Sequence, residues 1–119
     1  MKTIIIFLSI VFLISCSNTK EMYATSCEVN APLENLPWLK EIKINFEISA
    51  SASKTQIIQF TYHNETVFLI DSCMNCADNL TTVYNCEGDK ICEFGGIAGL
   101  NTCLDFDENS TNKIVLWEN

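Results

Sequence analysis

Arginine is absent from the 119 residues, histidine occurs once, at His63, and both prolines, Pro32 and Pro37, fall in the first third of the chain. With one histidine and no diagnostic serine, no Ser, His and Asp set for nucleophilic catalysis can be assembled. No apolar run reaches the roughly 20 residues that a membrane-spanning helix needs. No internal repeat, heptad or low-complexity tract appears. The length allows one small domain.

What the chain does have, first, is an apolar stretch at residues 4–14, interrupted only by Ser9 and preceded by Lys2. Its length suits the core of a secretory signal, about 7 to 15 residues, better than a span. It ends in Leu13, Ile14, Ser15 and Cys16, which resembles the lipobox of bacterial lipoproteins: a branched apolar residue, a tolerant position, a small residue, then cysteine. The resemblance implies lipidation of the Cys16 thiol (diacylglyceryl on sulfur, palmitate-type acylation of the new amino terminus) and cleavage just before it. Each buried methylene contributes about 0.8 kcal/mol, so several acyl chains make a stable anchor. The expected address is the bacterial cell envelope, with the membrane as a partner through the lipid on Cys16. Ser17, where aspartate would retain an enteric lipoprotein in the inner membrane, favours the outer membrane.

From Cys16 onward six lysines face fifteen acids, a formal charge of −9. Such a surface has no basic stripe to neutralise phosphates, so nucleic acid is not an expected partner.

Residues 1–15 are thus expected to be the signal, 16–34 a polar lipidated tether whose far end Cys27 pins to the domain, and 35–119 the domain itself. Leu36, Leu39, Ile42 and Phe46 recur at helical spacing, with Asn35 as a candidate cap and Pro37 in the first turn, which predicts a helix over residues 36–49. The segments QIIQFTY, TVFLI, TTVYNC, KICEF and KIVLW are β-branched and aromatic and predict about five strands. His63, Asn64 and Glu65 form one hairpin link; Glu87, Gly88 and Asp89 form another, with Gly88 free to turn left-handed. The expected fold is α+β, one N-terminal helix packed on an antiparallel meander. Trp38 and Trp117 are expected to be packing residues.

The blocks LPWLKEI, IIQFTYHNETVFLIDSC, TTVYNCEGDKICEFGGIAGLNTC and IVLWEN resemble an uncharacterised family of small bacterial envelope domains without an assigned function. The resemblance implies a shared fold and envelope location and offers no catalytic residue.

With Cys16 lipidated, Cys27, Cys73, Cys76, Cys86, Cys92 and Cys103 remain. In an oxidising envelope they are expected to form three disulfides among fifteen possible connectivities. Cys92 with Cys103, enclosing EFGGIAGLNT, is the pairing favoured here.

Cys73-Met74-Asn75-Cys76 also has the spacing of a thiol oxidoreductase, but no proline follows it and ADNL is too short for the helix such a site needs. Zinc is disfavoured by the lone histidine and the compartment, and His63 is expected to be solvated. Asp105, Asp107 and Asn109 begin like a calcium loop, but Ser110 and Leu116 stand where glycine and an acid are needed, so residues 105–112 are expected to be a solvated loop. Three Asn-x-Thr/Ser sequons, at Asn64, Asn79 and Asn109, carry no weight in a bacterium. Gly95-Gly96-Ile97-Ala98-Gly99 lacks the Lys and Ser/Thr of a phosphate cradle but is a braced loop of the kind protease inhibitors use.

These features predict a lipid-anchored binding or structural module that is not an enzyme, needs no cofactor and meets an envelope protein partner. The alternatives are an envelope protease inhibitor acting through the Cys92 to Cys103 loop and a thiol oxidoreductase acting through Cys73 and Cys76.

Overall fold

The computed structural model describes residues 27, 29–49 and 53–119. The signal segment, Cys16 and the start of the tether lie outside them.

Helix α2 (Pro37–Ile48) carries the predicted apolar stripe: Leu39 is fully buried, and Trp38, Ile42 and Phe46 pack beside it. Its wet face carries a Lys43–Glu47 ion pair at 3.0 Å, one turn apart. Asn35 is not the cap. Pro37 holds the residue before it extended, so Leu36 (φ −98°, ψ 106°) takes the cap position and its carbonyl accepts from Leu39 and Lys40. The Asn35 side chain instead donates to the Asn30 carbonyl. A preceding helical turn, α1 (Pro32–Asn35), and the packing of Cys27, Val29 and Leu33 against the core show that the domain starts before residue 35. The far end of the expected tether is therefore part of the domain.

Six strands follow, one more than expected: β1 (Gln56–Tyr62), β2 (Glu65–Asp71), β3 (Leu80–Tyr84), β4 (Lys90–Gly95), the two-residue β5 (Leu100–Asn101) and β6 (Ser110–Glu118). They form one antiparallel sheet in the order β5-β4-β3-β2-β1-β6. The first five run as a meander. The last strand does not extend it but returns beside β1, with two register shifts, so it closes the opposite edge. The extra strand β5 is too short for an alternating pattern to register in the sequence.

Both turns fall where they are expected, but the first is one residue shorter, because Glu65 already pairs with Tyr62 in the sheet. His63 and Asn64 adopt φ of 48° and 63°, a two-residue mirror-image turn that suits the twist of a hairpin. Gly88 (φ 87°) closes the next hairpin, and an added Cβ would sit 2.9 Å from the Trp38 ring. Asn85 supports that turn by accepting from Glu87 and Asp89.

Strand β2 is apolar on both faces because both are covered. Phe68 and Ile70 face α2 with Leu36, Leu39 and Ile57; Val67 and Leu69 face the other way with Ile58, Tyr62, Val83 and Phe106. Trp38 meets Phe68 edge-on at 5.7 Å and Trp117 stacks on Phe46 at 5.7 Å, so both tryptophans are packing residues. The second face explains why residues 105–112 are not a solvated loop. Phe106 in the short α3 (Phe106–Asn109) is buried against Phe60, Tyr62 and Phe94, and β6 begins at Ser110.

Candidate functional site

Antiparallel pairing puts the end of β2, the start of β3, the end of β4 and the start of β5 together, because Leu80 lies opposite Gly95 and Gly95 opposite Leu100. Two loops therefore meet there, residues 72–79 with the Cys73-Met74-Asn75-Cys76 motif and the glycine-rich turn 96–99. The sequence presents them as separate motifs. Asn79 joins them: its carbonyl accepts from Gly96 N–H at 2.8 Å, and a Cβ on Gly95 (φ 108°) would lie 2.5 Å from that same oxygen.

The first loop is held largely by backbone and amide groups. Cys76 N–H donates to the Cys73 carbonyl (3.1 Å), Asn79 N–H to that of Cys76 (3.2 Å) and Met74 N–H to that of Lys54 (2.7 Å). The Asp71 carboxylate accepts from Cys73 N–H at 3.1 Å and from the Asn79 amide at 2.6 Å, while the Asn79 amide oxygen accepts from Ser72 Oγ at 2.9 Å. Asp71 and Asn79 are absent from the candidates that sequence suggests. Part of the signal is there, since an Asp two residues before Cys73 is an Asx turn in waiting. Asn101 repeats it, accepting from Cys103 N–H at 2.9 Å.

Around these loops Met74, Leu80, Ile97 and Leu100 are exposed, and Ile97 at 87 % is the most exposed large apolar side chain among the described residues. The sheet thus offers apolar side chains to solvent on two short, tied loops and on the strand ends beside them.

All six cysteines among the described residues are paired: Cys27 with Cys86, Cys73 with Cys76 and Cys92 with Cys103, at Cα separations of 5.4, 5.4 and 5.3 Å. Among the described residues no group of three His, Cys, Asp or Glu side chains is placed to hold a metal ion. No helix among them is long and apolar enough to cross a membrane.

The opposite end of the sheet holds a second cluster. The Tyr62 hydroxyl and His63 Nε2 both bond the Asp105 carboxylate, the latter at 2.8 Å. The Tyr62 hydrogen bond, with backbone help and the nearby His63 charge, holds the Asp105 carboxyl below its ordinary value, and the same bond raises Tyr62. His63 is thus engaged by a carboxylate although more than half exposed. An open hollow of about 340 Å³ beside it is lined by Thr61, His63, Asn64, Glu108, Asn109 and Thr111.

A family model described as a domain of unknown function (DUF6970) matches residues 45–119. The chain belongs to the DUF6970 family. No curated protein and no solved structure matches it. The DUF6970 segment contains the whole sheet, both loops of the apolar end and the Cys73–Cys76 and Cys92–Cys103 pairs. Cys27, Trp38 and most of α2 lie before it, so part of the cover on this chain's DUF6970 sheet, and one half of the Cys27–Cys86 disulfide, come from outside the matched region.

Proposed function

We propose that the chain is a lipid-anchored module of the bacterial envelope that binds a protein partner and performs no catalysis. The anchor rests on the apolar leader core and on Leu13, Ile14, Ser15 and Cys16. With Cys16 acylated, the remaining six cysteines pair completely, which removes the odd thiol.

The observation that carries the binding role is the apolar end of the sheet, where Met74 and Ile97 stand exposed on loops tied through Asn79 and Gly96, with Leu80 and Leu100 exposed at the strand ends beside them. Preorganised loops lose little conformational entropy on docking. The inhibitor alternative gains nothing from the geometry. Residues 94 and 95 are paired in the sheet with 100 and 101, and Gly99 N–H closes the intervening turn onto the Gly96 carbonyl at 3.1 Å, so little extended chain remains to enter a protease cleft. The oxidoreductase alternative lacks a helix start after Cys76, where residues 77 and 78 form a turn.

A photo-crosslinking residue at position 97 in the native envelope should yield one discrete adduct, abolished by Leu100→Asp and Leu80→Asp in chains whose circular dichroism is unchanged. A diffuse pattern insensitive to both changes refutes the binding role. Cys16→Ala should abolish incorporation of labelled fatty acid; a mutant that labels like wild type refutes the anchor.

A further inference from the structure

The six paired cysteines are not equally accessible. Cys76 is exposed, Cys73, Cys92 and Cys103 are buried, and Cys27 and Cys86 are half-buried. The bond that Cys76 makes is also the most local. It spans three residues inside one loop, whereas the other two span 59 and 11 residues and tie separate segments of the fold together. The turn it closes has a second closure in the Cys76 N–H bond to the Cys73 carbonyl, and Asp71, Asn79 and Lys54, all outside residues 73–76, hold that turn in place.

We propose that Cys73–Cys76 is a thiol-exchange site for an external dithiol, with Cys76 as the attacked sulfur, and that the fold is the same in both redox states. Exchange proceeds by attack of a thiolate on a disulfide sulfur, so the accessible sulfur is where it starts. One thiolate of the dithiol bonds to Cys76 Sγ, the Cys73–Cys76 bond breaks, and Cys73 Sγ leaves with the electron pair and takes a proton from solvent. The second thiol, deprotonated, attacks the sulfur of the first, releasing Cys76 Sγ, which is protonated in turn. The dithiol becomes a disulfide, and the cysteine pair gains two electrons and two protons.

The order of events distinguishes this site from a redox enzyme of the familiar kind, in which the exposed cysteine comes first in the motif. Here the first cysteine is buried beneath the loop and the last faces solvent. The site shares its loop with Met74 of the apolar end, but it is assigned from exposure and connectivity and not from what that end binds.

The test titrates the oxidised full chain with dithiothreitol, quenches with an alkylating agent and maps the labelled cysteines by mass spectrometry. Cys73 and Cys76 should label together at a rate about tenfold above that of the other four cysteines, in line with access control of exchange. Near-ultraviolet circular dichroism at that point should keep the oxidised protein's signal. Cys73→Ser should form a mixed disulfide with oxidised glutathione through Cys76, about tenfold faster than Cys76→Ser does through Cys73. The proposal is overturned if another pair opens first or in step, if the dichroism collapses on selective opening, or if Cys73 outpaces Cys76. The wild-type titration decides the matter even where a serine variant misfolds.

Discussion

Glycine at two adjacent positions separates backbone strain from crowding. Gly95 and Gly96 both have positive φ, 108° and 74°, but only Gly95 approaches another group, the Asn79 carbonyl. Gly96→Ala should cost about 1 kcal/mol from the left-handed conformation alone, and Gly95→Ala about 2 to 3 kcal/mol, because a backbone oxygen cannot swing aside. Urea midpoints of the two variants check the difference. At Asp105 the expected effect is one of pH. Its folded-state carboxyl is held low, first by the Tyr62 hydroxyl, so the associated stability is present above the ordinary carboxylate value of 3.8 and lost as pH falls through the lowered one. Tyr62→Phe should therefore lose less stability than wild type between pH 7 and pH 2, measured by chemical denaturation.

Among the elements, α2 is the one whose docking the periodicity predicts most directly. Leu39 is its fully buried residue, set over Ile57, Phe68 and Ile70 of the two strands beneath. Leu39→Ala should cost about 2 to 5 kcal/mol, the usual range for a truncated core leucine, whereas Ile48→Ala, at a 73 % exposed position on the same helix, should change stability by less than about 0.5 kcal/mol. Thermal unfolding of both variants tests the assigned face. β6 differs from α2 in legibility. Its apolar residues mark a strand, but its place beside β1 depends on partners more than fifty residues earlier, such as Ile57 opposite Trp117.

At the scale of the whole molecule the three disulfides differ in what they restrain. Closing a loop lowers the entropy of the unfolded chain with the logarithm of loop length. The separations are 59 residues for Cys27–Cys86 and 3 for Cys73–Cys76. Replacing both cysteines of the first pair by serine should destabilise the domain by about 2 to 3 kcal/mol more than replacing both of the second. Guanidinium titration of the two double variants measures this directly. For a domain of this size that difference is a sizeable part of the typical 5 to 15 kcal/mol total.

Local signals determined the parts of this protein. The spacing of Leu36, Leu39, Ile42 and Phe46 sufficed for α2, the β-branched runs for five of the six strands, and His63-Asn64 and Gly88 for the two turns, because each depends on the φ and ψ preferences and burial pattern of adjacent residues. The acidic charge and the count of seven cysteines were likewise complete in the sequence. Tertiary structure decided which parts meet. Alternating apolar strands can be ordered in several ways, and six thiols can pair in about fifteen. Only the packed sheet brings Cys27 to Cys86, buries Phe106 of an acidic segment against Phe60, and sets Asn79 against Gly96 to join two motifs that look separate in the chain. Contacts such as Tyr62 with Asp105, 43 residues apart, leave no local trace, since neither residue's own neighbours specify the partner it will reach.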